Sequence, residues 1–336
     1  MPPVYIVQQN AKIRIRNRRL QVENGDENSA EVLMSVPLVQ VDQVVLFGNI
    51  GFTTPALDAL LGQETEVVFL TQQGDFRGRL LGAVTPHVPL RRAQYECTGI
   101  PAFALEMAKG FVEAKLVHHR ALLQRHNREN PVAAIQGAVD QITHSILSIP
   151  RKEALSSLLG VEGAATAAYF SGFRHFFGPE WRFDNRNRRP PADPVNVLLS
   201  FGYTLLAQMA SGAVQTAGMD PYAGVYHQVA YNRPALALDL MEEFRPVVDG
   251  VVLWCCRGGQ ITPADFEPGP PERPIVLKPE GIKRFIGAYE SRMDQTFTHP
   301  IAKLKLPIRQ CMVEQARQMA KRFLEKKPGY QGMGFR

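Results

Sequence analysis

The first ninety or so residues alternate apolar and polar side chains, whereas later residues repeat their apolar side chains every three to four positions. A period of two places alternate side chains on opposite faces of a β-strand, and a spacing of three and four places them on one face of a helix. The change of period predicts an α+β protein. We expect a small β-rich domain at residues 1–92, followed by a larger all-α domain at residues 93–336.

Within the β-rich part, the stretch "KIRIRNRRLQVE" (12–23) predicts a hairpin with a turn near Asn17 and one basic face. The runs "VDQVVLFG", "EVVFL" and "QGDFRGRLLG" are typical of further strands and a glycine-bearing turn. Between them, "TTPALDALLGQ" predicts one short helix, because Thr54 suits an N-cap, Pro55 the first helical position and Gly62 the position after the end.

Helical signals dominate after residue 92. The stretch "ALEMAKGFVEAKLVHHRALLQRH" (104–126) is rich in helix formers and has apolar residues three and four apart. Further helices are predicted at 131–148, 151–175, 194–217, 233–246, 278–293 and 300–326. Two stretches rich in proline, glycine and charge, 179–194 and 259–274, predict long loops.

Composition excludes several classes of protein. The chain has 336 residues and 45% hydrophobic content, which suffices for a sizeable core and suits two domains. Its opening residues turn charged too early for a signal peptide, and no apolar run approaches the ~20 residues of a membrane span, so we expect a cytoplasmic protein. The four cysteines lack the spacing of a disulfide framework or a zinc site, which predicts reduced cysteines that pack in the core.

The net charge of +6 is concentrated near the C-terminus. Residues 303–327 contain eight Lys or Arg and two Glu, so this segment accounts for the whole excess (8 − 2 = 6). Such a run is either a solvated helix face or a surface that binds a polyanion such as nucleic acid.

Three carboxylates, Asp239, Glu242 and Glu243, lie within about one helical turn in the otherwise apolar stretch "RPALALDLMEEFRP" (233–246). Asp239 shares a helix face with both glutamates, and carboxylates at that spacing repel one another. The arrangement is stable if a cation is bound, if Arg233 or Arg245 neutralises it, or if the acids face water.

Two further residues are candidates for the same cation. Glu162 is flanked by Gly160 and Gly163 at the predicted start of a helix, where a glutamate also suits the helix dipole. His227 follows a loop rich in glycine and proline, and a single histidine of this kind is either structural or a metal ligand.

Four motifs occur in a fixed order: "GVEG" (160–163), "RRPPADPVNVLLSFGYTLL" (188–206), "GMDPYAGVYH" (218–227) and "LALDLMEEFRP" (236–246). Together they resemble the CRISPR-associated integrase family, the universal endonuclease that inserts new spacers into CRISPR arrays. The likeness continues in "VVLFGNIGFTTPALDALL" and "GRLLG", which resemble the β domain of that family. It implies a β domain followed by a helical catalytic domain, and DNA as the substrate.

The resemblance places the metal ligands of the family on Glu162, His227 and Glu242, with Asp239 as an accessory acid. The last ligand of the family is Asp or Glu, and this chain offers two adjacent glutamates. The spacing of three from Asp239 favours Glu242 and leaves Glu243 to face solvent or an arginine.

Two carboxylates and one imidazole suit Mn²⁺ or Mg²⁺. Such an ion polarises a phosphoryl oxygen and stabilises the oxyanions of phosphoryl transfer. A water nucleophile then gives cleavage, and a DNA 3′-hydroxyl gives the strand transfer that the resemblance implies. As an alternative to ligation, His227 is a candidate general acid or base.

Several residues are candidates for DNA contacts. They are Arg188, Arg189, Asn196, Tyr169, Tyr203, Lys303, Lys305 and Arg309. The first three either hold phosphates or brace the start of a helix, and the tyrosines either pack or touch a terminal nucleotide. The basic faces at 12–19 and 303–327 are candidates for contacts with the DNA backbone.

The resemblance also implies partners. Members of the family form homodimers, two of which bracket a dimer of a small ferredoxin-like CRISPR-associated protein. Two other functions remain open from the residues alone: a nucleic-acid scaffold without catalysis, and a repair nuclease that acts on branched DNA with the same active site.

Overall fold

The computed structural model describes residues 3–24, 31–82, 87–128, 131–187, 190–227, 231 and 233–334. The chain divides into two compact units, Met1–Thr85 and Pro86–Arg336. Strands form most of the regular structure in the first unit and helices most of it in the second, so the α+β class is confirmed.

The first unit contains two four-stranded sheets among its described residues. Its strands are β1 (Val4–Ile6), β2 (Lys12–Arg16), β3 (Arg19–Glu23), β4 (Val32–Pro37), β5 (Gln43–Phe47), β6 (Gly51–Phe52), β7 (Glu66–Leu70) and β8 (Phe76–Leu80). One sheet has the order β1-β5-β7-β8 and the other β4-β3-β2-β6. Both sheets contribute to one core, which includes Ile13, Leu20, Val44 and Val67, all fully buried.

The predicted hairpin is present. Strands β2 and β3 pair in antiparallel register, with Ile13 opposite Val22, and the connection consists of Asn17 and Arg18. Both residues have positive φ angles, 51° and 58°. Positive φ at both central positions defines the turn whose twist matches paired strands, and asparagine tolerates that conformation well.

The short helix α1 (Thr54–Gly62) is also present; it begins one residue earlier and ends one residue later than predicted. Its N-cap is Thr53, whose extended backbone (φ −86°, ψ 148°) precedes the first helical turn. Pro55 lies within that turn, where the missing N–H has no cost, and Gly62 is the last helical residue.

Ten α-helices occur in the described chain, nine of them in the second unit. Those nine are α2 (Val88–Thr98), α3 (Pro101–Asn127), α4 (Ala133–Ser148), α5 (Leu155–Phe173), α6 (Pro194–Thr216), α7 (Ala235–Met241), α8 (Arg245–Arg257), α9 (Pro279–Met293) and α10 (Ile308–Glu325). Short 3₁₀ helices are Leu38–Gln40 in the first unit and Ile149–Arg151, Arg174–Phe176, Pro179–Trp181, Glu242–Phe244 and Pro263–Asp265 in the second.

The helical unit also contains strands that the sequence reasoning did not predict. Strand β9 (Phe266–Pro268) pairs with β10 (Ile275–Leu277), and β11 (Thr296–Thr298) pairs with β12 (Lys305–Pro307), both antiparallel. The helix predicted at 300–326 therefore begins only at Ile308. This part of the chain is not purely helical, because residues 296–307 form a hairpin before α10.

Helices α3 and α6 supply much of the core of the second unit. Helix α6 is long and apolar enough to span a membrane by length and composition alone, but 61% of the apolar window is buried inside the protein. That burial is typical of a core helix. The four cysteines are buried and form no disulfide, as predicted.

Candidate active site

Lys115 lies at the centre of a buried group of charges in the helical unit. Its side chain projects from α3 and is only 4% exposed. The Nζ atom contacts Glu162 Oε1 on α5 and lies 2.7 Å from Glu242 Oε2. We refer to Lys115, Glu162 and Glu242 as the cation cluster, because one ammonium is shared by carboxylates from two separate elements.

Both carboxylates of the cation cluster are held in their charged form. Burial alone would raise the pKa of Glu162, but the ammonium of Lys115 outweighs that effect and leaves its pKa lowered. For Glu242, burial again acts upward, and Arg245 and Lys115 together lower its pKa far below the usual range. Arg245 Nε donates to Glu242 Oε1 at 2.8 Å, and Thr166 Oγ1 donates to Glu162 Oε1 at 2.9 Å.

His227 faces the cation cluster from the loop before α7. Its Nε2 atom lies 3.7 Å from Glu242 Oε1, and its Nδ1 atom lies 2.8 Å from Asp239 Oδ1. In the tautomer with its proton on Nδ1, the imidazole donates to the Asp239 carboxylate and keeps a lone pair on Nε2. The lone pair is therefore directed away from Asp239 and is available to a cation.

Asp239 is fully buried and organises the loop rather than facing the cluster. Its carboxylate accepts the backbone N–H groups of Val225, Tyr226 and His227 at 2.7, 3.1 and 2.8 Å. A Cβ atom on Gly224 would lie 2.9 Å from Asp239 Oδ2, so glycine allows the loop to approach this closely. The predicted accessory acid thus acts by positioning His227, since its oxygens are occupied by these donors.

Glu162 and Glu243 lie in surroundings that differ from those the sequence predicted. Glu162 lies in the interior of α5 rather than at a helix start. Glu243 is buried and faces neither solvent nor an arginine; its carboxylate contacts Gln315 and Tyr330 instead. Adjacent residues of a tight turn point in different directions, and so only Glu242 of the pair joins the cation cluster.

Sequence reasoning missed Lys115 and Tyr226, whereas Arg245, one of the two arginines considered as a counter-ion, does pair with Glu242. The hydroxyl of Tyr226 is buried, and no described residue hydrogen-bonds to it. Burial, followed by the nearby charges of Glu162 and Glu242, raises the pKa of this phenol. A lysine in the middle of the apolar α3 pattern was the available signal for Lys115, because a buried ammonium needs a partner of opposite charge.

The two tyrosines proposed as DNA contacts are structural. Tyr169 and Tyr203 donate to opposite oxygens of the buried Asp249, at 2.9 and 2.5 Å. The ring of Tyr169 also stacks on His119, with centroids 3.7 Å apart. Tyr203 lies beneath the Arg245 guanidinium, which is 4.8 Å from its ring centre. Of the two alternatives that the sequence left open, packing is therefore the one observed.

Asn196 is likewise a structural residue, at the start of α6. It is fully buried, its N–H donates to the N-cap Asp193 at 2.8 Å, and its side-chain oxygen accepts from Arg186 Nη1 at 2.7 Å. A contact with DNA is excluded by this burial, whereas the role in the first helical turn is observed. Arg188 and Arg189 lie outside the described residues.

The C-terminal basic residues are only partly available to a polyanion. Arg309 pairs with Glu290 and Asp294 at 2.7 and 3.0 Å. Lys303 and Lys305 are exposed, and no ion pair with them occurs in the part of the chain that the structure describes. Arg309 is thus a weaker candidate than these two lysines for a phosphate contact.

The donor atoms fit a divalent cation. Among the described residues, no three His, Cys, Asp or Glu side chains stand in a geometry that already coordinates a metal. The ammonium of Lys115 lies between Glu162 and Glu242, which is a place where positive charge is stabilised. Carboxylate oxygens with one neutral imidazole nitrogen suit Mg²⁺ or Mn²⁺, and a histidine held through its other nitrogen by a carboxylate is the usual arrangement of a metal ligand.

Sequence comparisons match nearly the whole chain. The family model "CRISPR associated protein Cas1" matches residues 4–291. The CRISPR-associated endonuclease Cas1 3 of Thermus thermophilus is 34% identical over 335 residues, which cover 99% of this chain and 97% of that protein. The CRISPR-associated exonuclease Cas4/endonuclease Cas1 fusion of Geobacter sulfurreducens is 35% identical over 341 residues; 98% of this chain aligns, and it spans 59% of the fusion.

Solved structures share the fold. A casposase bound to integration product superimposes with a TM-score of 0.86 at 21% identity, covering 98% of this chain and 93% of the casposase. A chain of a Cas6-RT-Cas1–Cas2 complex gives a TM-score of 0.83 at 26% identity, covering all of this chain and 36% of that one.

The chain, with its strand-rich unit followed by a helical unit, therefore has the fold of these structures. By sequence, the chain is a member of the CRISPR-associated protein Cas1 family, because the family model covers most of its length and the Thermus relative is more than 30% identical across it. The resemblance expected from the four motifs is confirmed.

Proposed function

We propose that the chain is a divalent-metal-dependent DNA endonuclease and integrase that inserts foreign DNA fragments into a CRISPR array, in antiviral defence. The main support is the cation cluster: Glu162 and Glu242 share one buried positive charge beside the His227 imidazole, whose Nε2 lies 3.7 Å from Glu242 Oε1. The names of the relatives as endonucleases, and the integration product in the casposase structure, support the same activity.

Glu162, His227 and Glu242 would hold a Mg²⁺ or Mn²⁺ ion. When bound, such an ion polarises a phosphoryl oxygen and stabilises the charge that develops on the attacking and leaving oxygens. Because phosphoryl transfer needs mainly positioning and charge neutralisation, no covalent nucleophile from the protein is required.

The remaining residues orient the site. Asp239 fixes the ring of His227, so that Nε2 faces Glu242. Lys115 and Arg245 place two positive charges beside Glu242, and preorganised charges of this kind stabilise a phosphodiester as its negative charge increases. A water nucleophile in this site leads to nicking, and a DNA 3′-hydroxyl leads to strand transfer.

DNA and protein partners are part of the proposal. Lys303, Lys305 and the basic face of the β2–β3 hairpin are candidates for backbone contacts, although Arg14 and Arg16 of that face pair with Glu23 at 3.1 and 3.7 Å. We expect a homodimer that joins a small ferredoxin-like partner and acts in the cytoplasm. The Cas1–Cas2 complex among the similar structures supports a partner protein.

The test is a Mn²⁺-dependent nicking and integration assay on a plasmid that carries the matching repeat. Glu162→Gln and His227→Ala are expected to abolish nicking and strand transfer, while both variants remain folded and their DNA affinity stays near that of the wild type. Glu153→Gln is the matched control, because Glu153 is an exposed glutamate just before the same helix.

Different outcomes distinguish the alternatives. Wild-type nicking by both variants would show that the cluster is not catalytic and would favour a nucleic-acid scaffold. Cleavage of branched DNA without joining at the repeat boundary would favour a repair nuclease. Joining confined to the repeat boundary, dependent on Glu162, supports the integrase.

A further inference from the structure

Glu243 is a fully buried carboxylate that the proposed chemistry does not use. It accepts hydrogen bonds from the Tyr330 hydroxyl, from Gln315 Nε2 at 2.9 Å and from the backbone N–H of Met333 at 2.5 Å. Gln315 belongs to α10, and Tyr330 and Met333 belong to residues 327–334. We call residues 327–334 the C-terminal segment. A carboxylate with several donors is well satisfied although it is buried, and it attaches the C-terminal segment to the turn that carries Glu243.

The C-terminal segment also packs against α3. The rings of Tyr330 and Phe111 have centroids 4.3 Å apart. A Cβ atom on Gly332 would lie 2.2 Å from the Cβ of Ala114 and 3.0 Å from Glu243 Oε2, so only glycine fits between these two elements. The segment therefore contacts both the turn after α7 and the part of α3 from which the lysine of the cation cluster projects.

A third contact joins the same elements through the backbone. His118 Nδ1 on α3 lies 2.9 Å from the carbonyl oxygen of Glu243, and His118 also hydrogen-bonds to the backbone of Met333. Both the side chain and the carbonyl group of Glu243 are consequently fixed by neighbours. These contacts restrict rotation of the 3₁₀ turn Glu242–Phe244.

We propose that Glu243 is a positioning residue for Glu242, and that the C-terminal segment acts through it. The two glutamates are consecutive in one tight turn, so the backbone that Glu243 fixes also sets the direction of the Glu242 side chain. That direction brings Glu242 to 2.7 Å from Lys115 and 3.7 Å from His227. The expected effect on catalysis rests on the proposed function, whereas the expected effect on the position of the Glu242 carboxylate does not.

Tyr330→Phe tests this inference, with Glu243→Gln as a second variant that keeps the size of the side chain. The matched control is Tyr289→Phe, which removes another fully buried hydroxyl, on α9, where it lies 4.0 Å from Met209 Sδ. Three measurements are made on the full chain: the crystal structure without metal, Mn²⁺ binding without DNA by electron paramagnetic resonance, and the rate of Mn²⁺-dependent nicking.

We expect the Glu242 carboxylate to move by about 1 Å in Tyr330→Phe and Glu243→Gln, which is enough to loosen a preorganised site. Mn²⁺ binding and the nicking rate should each fall about 10-fold or more, with DNA affinity unchanged. In Tyr289→Phe all three measurements should match the wild type.

The inference would be overturned if the Glu242 carboxylate did not move in either test variant. It would also be overturned if Mn²⁺ binding and nicking fell equally in the Tyr289→Phe control, because that would indicate a general effect of destabilisation. If the wild-type protein neither binds Mn²⁺ nor nicks DNA, the proposed function fails. The position of Glu242 in the metal-free crystals would still decide whether Glu243 positions it.

Discussion

Lys115 Nζ lies 2.7 Å from Glu242 Oε2 and also contacts Glu162, so one buried ammonium is shared by carboxylates from two separate elements. Removing one member of a buried ion group leaves the others uncompensated in a medium that solvates charge poorly. The cation cluster is therefore sensitive to the loss of Lys115 in a way that an exposed ion pair is not.

Lys115→Met should lower the free energy of unfolding by about 3 kcal/mol in metal-free buffer, because it leaves the partly buried Glu162 without its ammonium and Glu242 with Arg245 alone. Mn²⁺ should restore more stability to this variant than to the wild type, since the ion takes over the charge of the ammonium. Chemical denaturation with and without Mn²⁺ measures both effects. Lys109→Met, which removes a lysine of α3 paired at the surface with Glu106, should cost less than about 1 kcal/mol. Equal Mn²⁺ effects in Lys115→Met and wild type would contradict the prediction.

Asp239→Asn should weaken Mn²⁺ binding about 10- to 100-fold, the usual effect of losing the carboxylate that orients a ligating histidine. The buried carboxylate accepts hydrogen bonds from the loop backbone and from His227. An asparagine amide places N–H groups where one of these oxygens was, so the His227 ring loses its fixed orientation. Titration of the DNA-free protein with Mn²⁺ measures the change. Asp220→Asn is the control in the same loop, where the carboxylate accepts from Tyr95 and Tyr222. Unchanged Mn²⁺ affinity in Asp239→Asn would refute this role.

Tyr169→Phe should destabilise the protein by about 1–2 kcal/mol without changing its affinity for DNA. In the wild type this hydroxyl donates to the buried Asp249 at 2.9 Å. The loss of stability arises because a buried acceptor is left without one of its donors. Thermal unfolding and fluorescence anisotropy with a DNA duplex separate the two effects. Weaker DNA binding at an unchanged unfolding temperature would revive the interpretation of this tyrosine as a nucleotide contact.

His119 should make the protein less stable in mild acid. Burial lowers its pKa below the ordinary 6.5, despite the nearby carboxylate of Asp249. Between the folded and unfolded pKa values the unfolded chain binds the extra proton, so the free energy of unfolding falls as the pH drops below about 6.5. His119→Phe keeps a ring to stack on Tyr169 but removes the titration.

The check for His119 is chemical denaturation at about pH 7.5 and about pH 5.5. The variant should lose less stability than the wild type between these two values. Some dependence should remain, because burial also lowers the pKa of His118. An identical loss in both proteins would show that His119 does not contribute.

Local features of the fold could be predicted because their causes are local. The turn at Asn17 and Arg18 follows from alternating strands on either side, and α1 follows from the threonines and Pro55 at its start, although the N-cap is Thr53 rather than the predicted Thr54. The hairpin of β11 and β12 was missed, since its short strands carry little periodic signal and precede a strongly amphipathic helix.

The candidate site could be predicted only in part. The motifs identified Glu162, His227 and Glu242, but their order along the chain gave no reason to place Lys115 among them. Likewise, Asn196, Tyr169 and Tyr203 carry groups that suit nucleic acid, and burial alone shows that these groups are used inside the protein.

By itself, the sequence determined the α+β class, most helices, the family and the acids that are candidates for metal binding, because periodicity and motifs are properties of short stretches. The tertiary structure decided which acids share a cation, that a lysine from α3 lies between them, and that Glu242 rather than Glu243 faces His227. Those outcomes depend on how distant helices pack and on which charges lose their contact with water, and neither is written in the spacing of residues along the chain.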